Sequence, residues 1–274
     1  MRQTIRASSL AAILLVAAST ASAQYKQYPV SEPATGEKYV VEGAFGFWNP
    51  DPNLVISSES LGIIGSDIDA IADLGMKQER FREFRVVLRP AKKHKFRFDY
   101  VPILYEAEVN LARTIVFNGI RYEVGLPVNS RLEWKTMRLG YEYDFLYRDR
   151  WFVGFQVEAK YTDVRVDLAT PLRDAEFAEA RAPIPAVGGV VRFYPVSNIS
   201  ITADVSGFKL PVDVDKENRY DGNILDWDIY GTFNFTNNIG AQVGYRSMNV
   251  SYRIENDTGD MKLKGLYFMG VARF

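Results

Sequence analysis

The chain has 274 residues with 33 basic and 34 acidic side chains, so its formal net charge of −1 offers no basic footprint for a nucleic acid. It has no cysteine, which excludes disulfides, thiol catalysis and a cysteine-linked lipid anchor. Past the amino-terminal signal, no run approaches the ~18 consecutive apolar residues of a membrane-spanning helix.

Arg2 and Arg6, the apolar stretch from Leu10 to Ala18 and the small-residue site Ala21-Ser22-Ala23 have the form of an export signal over residues 1–23, cleaved before Gln24. Residues 24–38 are expected as a periplasmic amino-terminal segment and 39–274 as one domain. In that domain apolar residues recur at every second position, the period of a strand.

The first strand carries Val41, Gly43, Phe45 and Phe47 on one face. Phe84, Val86 and Leu88 then oppose Arg85 and Arg89, and Phe96, Phe98, Tyr100 and Leu104 oppose Arg97 and Asp99. Leu139, Tyr141, Tyr143 and Phe145 oppose Arg138, Glu142 and Asp144. Trp151, Val153, Phe155, Val157 and Ala159 oppose Gln156, Glu158 and Lys160. Val187, Gly189, Val191 and Phe193 lie opposite Arg192, and Ile199, Ile201, Ala203 and Val205 opposite Asp204. Trp227, Ile229, Gly231, Phe233 and Phe235 alternate with Asp226, Asp228 and Thr232. Ile239, Ala241, Val243 and Tyr245 alternate with Gln242 and Arg246. Asn237-Asn238 suits the tight link before this last segment, since Asn tolerates left-handed backbone.

Ten strands are predicted, near 39–49, 80–89, 95–106, 128–147, 151–167, 182–195, 199–208, 224–236, 239–254 and 261–274. The segment from Pro50 to Glu79 leaves eight or twelve open. Its Leu54-Val55-Ile56 and Ile68 to Met76 read equally as the upper part of a long second strand, a loop hairpin, or a short helix capped at Ser66 or Asp67. Within 128–147 the apolar parity slips near Thr136, because Leu132 and Trp134 are even and Leu139 and Tyr141 odd; a bulge there is expected. Four short turns, at 90–94, 148–150, 195–198 and 236–238, alternate with five longer loops.

The last strand is the most specific element. Leu266, Phe268, Gly270, Ala272 and Phe274 form one apolar face that ends on an aromatic at the carboxyl terminus. With the export signal, this resembles a small bacterial outer-membrane β-barrel. The resemblance spans the mature chain and implies an all-β fold: a single transmembrane, antiparallel, up-and-down barrel in the outer membrane of a Gram-negative cell. It implies Phe274 as the residue read by barrel-assembly machinery, outer-membrane lipids and lipopolysaccharide as surroundings, and a monomer. The 16 Tyr and 17 Phe are enough for aromatic girdles.

In such a barrel the polar faces point inward. Arg85, Arg89, Arg97, Arg138, Lys160, Arg192, Arg246 and Arg273 are expected in the lumen with Glu42, Asp99, Glu142, Asp144, Glu158, Asp204, Asp226 and Asp228. A ten-strand interior is narrow, so these groups should meet one another, and pairing is the tolerable way to bury them. Arg97, Arg138, Arg192 and Arg246 are expected to pair with Asp99, Glu142, Asp204 and Asp228. A salt-bridged plug with a structural or loop-mediated role is therefore expected ahead of a narrow porin-like channel for small solutes. A lipid-modifying or proteolytic enzyme is the third reading. Barrel enzymes, by resemblance, generally use a histidine, and the one histidine, His94, falls in the basic turn Ala91-Lys92-Lys93-His94 at the periplasmic rim, where it reads as solvated. The pairs Glu142/Asp144 and Asp226/Asp228 suit ion pairing better than general acid–base work, given the arginines at hand. The acidic loops after Ser66 (Asp67, Asp69, Asp73) and from Pro211 to Asn223 read as solvated surface, the run Asp213 to Asn218 lacking an EF-hand glycine at its sixth position, so no metal is expected, and no catalytic residue or cofactor either.

Overall fold

The computed structural model describes residues 34–57, 63–171, 173–210, 220–254 and 257–274. The export signal, Asp213, Asp215 and Glu217 lie outside the described residues. The elements in chain order are β1 (Val41–Ser57), β2 (Ile68–Asp69), β3 (Phe81–Ala91), β4 (His94–Asn110), β5 (Ile115–Phe117), β6 (Ile120–Tyr122), β7 (Pro127–Tyr147), β8 (Trp151–Thr170), β9 (Arg173–Val196), β10 (Ile199–Lys209), β11 (Tyr220–Asn234), β12 (Ile239–Ile254) and β13 (Asp257–Arg273). Ten long strands pair antiparallel with their sequence neighbours, and β13 closes on β1. Glu42 faces Arg273 in that seam, and Val41 and Phe274 exchange backbone hydrogen bonds at its end.

The register fixes the shape. From Lys262, successive partners Asn249, Leu225, Gly207, Val187, Val157, Tyr141, Phe96, Leu88 and Val41 lead back to β13 at Phe274. That is a shear of 12 residues, from 262 to 274, which tilts ten strands by about 40° to the barrel axis.

The two faces of the wall exchange character part-way up. On β8 the outward residues run Trp151, Val153, Phe155, Val157, Ala159 and Tyr161, then Asp163, Arg165 and Asp167. The inward ones run Gln156, Glu158 and Lys160, then Val164, Val166 and Leu168, all three buried. β7 does the same in reverse order, with Asn129, Arg131, Glu133 and Lys135 outward above Met137, Leu139, Tyr141 and Tyr143. From Trp151 to Tyr161 the strand rises about 33 Å, or about 25 Å along the axis at that tilt, the height of an apolar band on a membrane barrel. Above it the barrel is built like a soluble one, polar outside and packed with Trp48, Leu54, Ile103, Tyr105, Leu132, Trp134, Leu168, Met261 and Leu263 inside.

The structure corrects two expectations and decides among the alternatives left open at 50–79. The β4–β7 and β7–β8 registers run unbroken through Thr136, so no bulge lies there; Leu132 and Trp134 are inward because the lumen is apolar at that height. An irregularity occurs instead between Asp144 and Leu146. Much of the loops expected after 167 and 254 is strand, with β9 starting at Arg173 and β13 at Asp257. In the open region, Leu54–Ile56 extend the first strand rather than the second, and Ile68–Asp69 fold back on it as a loop hairpin. The residues that follow form a turn and not a helix, with Asp69 Oδ1 accepting from the backbone N–H groups of Ile71 and Ala72.

The outer mouth is covered. Ile68, Ala70, Leu74 and Met76 from the first loop, and Leu111, Ile115, Phe117 and Tyr122 around the β5–β6 hairpin, join the upper core. Arg113 ties the two loops, donating to Asp73 Oδ1 at 2.8 Å and Oδ2 at 2.6 Å. These bonds hold the Asp73 carboxyl below its ordinary value of 3.8.

Candidate functional site: the lumenal charge network

Ten strands each place an inward polar residue in the lower lumen, because period two sends alternate side chains to the axis. At mid-height Asp99 accepts from Arg85 Nε at 2.7 Å and Arg138 Nε at 3.0 Å. Asp226 lies 3.2 Å from Lys160, 3.1 Å from Arg246 and 3.7 Å from Arg138. Lys160 reaches Glu158 at 3.4 Å and donates to Ser206 Oγ at 2.8 Å. Asp228 accepts from Tyr267 Oη–H at 2.9 Å and lies 3.7 Å from Arg85. Arg246 also reaches Glu83 at 3.1 Å, and its guanidinium sits 5.4 Å from the Trp48 ring centre, where the charged layer meets the apolar one.

Lower down, Lys95 bridges Glu142 at 2.6 Å and Asp144 at 2.9 Å. Arg97 pairs with Asp204 at 2.5 Å and Glu142 at 3.4 Å, and Gln156 donates to Asp204 at 2.6 Å. At the short-turn mouth, the segment before β1 enters the barrel. Gly36, at φ 85°, donates to Asn237 Oδ1, and this turn aims Glu37 upward. Glu37 accepts from Tyr194 at 2.7 Å and from Arg192 and Arg89 at 3.1 Å each. Arg273 meets Glu42 at 2.5 Å.

The structure thus places Arg97, Asp99, Arg138, Glu142, Asp144, Glu158, Lys160, Arg192, Asp204, Asp226, Asp228 and Arg246 in the lumen in three clusters; Arg97 and Arg138 pair within the expected set, with Asp204 and Glu142 and with Asp99, while the other two arginines differ. Arg192 serves Glu37, and Arg246 serves Glu83 and Asp226. Sequence reasoning missed Lys95 and Glu83, although both share the parity of Arg97 and Arg85. It also missed Glu37, which precedes the strand and was assigned to the periplasmic segment. His94 is at the short-turn rim but is not a solvated turn residue: it opens β4, and its Nδ1 lies 2.7 Å from Tyr141 Oη on the outer wall. The cavity beside Glu37, Arg97 and Arg192 measures about 20 Å³, room for one water.

A scan against protein-family models and a search of curated proteins found no match. Among solved structures, the chain is similar to the outer membrane protease OmpT from Escherichia coli, with a TM-score of 0.55 and 7% identity over 89% of this chain and 99% of that one. The chain folds as a bacterial outer-membrane β-barrel. Looser likenesses are the Pseudomonas putida toluene transporter TodX, with a TM-score of 0.35 and 9% identity over 89% of this chain and 93% of that one, and the attachment invasion locus protein Ail of Yersinia pestis, with 0.36 and 8% over 84% and 98%. The barrel's short turns mark its periplasmic end and its long loops the external end. Phe274, 78% exposed, lies at the periplasmic end of the seam.

Proposed function

We propose that the protein is a non-conducting, non-enzymatic integral barrel, monomeric, that acts through the external surface of its capped upper half. One observation carries this reading: the lumen is filled over its height, by paired charges below and an apolar core above. Its surroundings are outer-membrane lipids and lipopolysaccharide, it reaches them through the barrel-assembly machinery, and nucleic acid is not a partner. Against a channel stands the buried charge-paired lumen, whose cations and carboxylates lie within ion-pair distance of one another. Against an enzyme using histidine stands His94, at the periplasmic rim and outside the wall. The carboxylates Glu142, Asp144, Asp226 and Asp228 each lie within 4 Å of a lumenal cation. Purified protein in planar bilayers should give no steady conductance. Stable, ion-selective openings would replace this reading with the channel.

A further inference from the structure

We infer that the outer wall carries a seat for one acyl chain of an outer-leaflet lipid whose phosphate headgroup is drawn to Lys209. The inference rests on the integral-barrel reading above. Its basis is a recess in the lipid-facing wall across β8 to β11, floored by Gly189 and Ala203 and walled by Val191, Val205, Trp227 and Ile229. The register explains the recess: Val205 lies between Gly189 and Trp227, and Ala203 between Val191 and Ile229, so small residues are set among large ones. Trp227 is held upright by stacking on Tyr245, with ring centres 5.7 Å apart.

The recess holds about 430 Å³. A methylene takes about the 30 Å³ of a water, so this space fits a chain of about 14 carbons. It lies inside the apolar band, where hydrocarbon is the available occupant. Charge at the external end selects which lipid. Continuing outward on β10 from Ala203 and Val205 come Gly207 and then the exposed Lys209, facing Asn223 of β11. Lys209 is six residues above Ala203, about 20 Å along the strand, which suits a headgroup whose chain descends into the recess.

The wall can be filled without disturbing the barrel. A Cβ on Gly189 would meet its nearest neighbour, Gly154 O, at an ordinary 3.6 Å. The chain's four tryptophans include Trp48 and Trp134 inside the lumen and Trp151 near the periplasmic turns. In a Trp151→Phe background, Trp227 is therefore the tryptophan that bilayer lipid can touch. That protein is reconstituted in phosphatidylcholine vesicles containing either a chain-brominated phosphatidic acid or a chain-brominated phosphatidylcholine, and tryptophan quenching is titrated. The phosphatidic acid should be preferred by about three- to fivefold, the range an exposed ion pair supplies. Lys209→Gln should abolish the preference while both lipids still quench, and Gly189→Leu should weaken quenching by both. Equal quenching by the two lipids in the parent, or a preference that survives Lys209→Gln, overturns the seat. Quenching by neither lipid overturns the seat and the integral-barrel reading together. A detergent-stable dimer that Gly189→Leu dissolves would give the recess to a second copy and also overturns the seat.

Discussion

The exchange of faces on β8 predicts opposite responses to the same substitution ten residues apart. Val157 lies near the middle of the outward apolar band, half exposed to what surrounds the barrel, so Val157→Arg puts a charge into hydrocarbon. At the bilayer midplane this costs about 2–4 kcal/mol. Asp167 is also outward on β8 but above the band, where it pairs with the half-buried Arg165, 2.9 Å away. Asp167→Arg removes one surface ion pair and costs about 1 kcal/mol or less. The inward face reverses the order for truncation. Leu168 is fully buried in the upper core, so Leu168→Ala leaves a cavity and costs about 2–5 kcal/mol. Leu139, outward on β7 within the band and 60% exposed, loses little on truncation because lipid fills the space. Reversible denaturant unfolding from lipid vesicles measures all four. Equal losses for Val157→Arg and Asp167→Arg, or a negligible loss for Leu168→Ala, would refute the exchange of faces.

Arg138→Ala removes the cation shared by Asp99, Glu158 and Asp226 and should cost about 3–5 kcal/mol in the same assay, with Asp99→Asn in the second position recovering part of it. Deleting Phe274 should lower the yield of heat-modifiable, membrane-inserted barrel relative to the full chain; an unchanged yield would remove its role in assembly. The Asp73 carboxyl is held below its ordinary value by Arg113, so its contribution to docking the cap is present above 3.8 and is lost as pH falls through the lowered value. The protection factor of the Val116 amide, whose N–H donates to Ser66 between the two loops, should fall under acid once the intrinsic slowing of exchange is divided out, and Arg113→Gln should abolish that pH dependence.

The lower barrel was legible because lipid on one side and a narrow lumen on the other impose opposite chemistry on alternate residues. Leu139, Tyr141 and Tyr143 against Arg138 and Glu142 admit one assignment. The upper barrel follows the same period with its faces exchanged, and Leu132 and Trp134 therefore read as a slip in parity rather than a change of surroundings. Partner choice in the lumen depends on height and tilt: the 12-residue shear brings together Arg246 and Glu83, which are 163 positions apart. Glu37 carries no periodic signal, since it acts from the turn before β1 that enters the lumen at the short-turn mouth.

A lumen filled from mouth to mouth keeps reagents from its inward side chains, and the cysteine-free chain allows a direct measurement. Single cysteines replacing the inward Ser200 on β10, Thr162 on β8 and Ser206 on β10 sample the interior at different heights, with the exposed, outward Asn129 of β7 as the accessible control. A charged, membrane-impermeant thiol reagent applied to the folded barrel should label Asn129→Cys rapidly and leave the three inward cysteines unreacted until the protein is unfolded. Rapid labelling of the inward positions in the folded state would mean that water occupies the lumen, and would contradict the account.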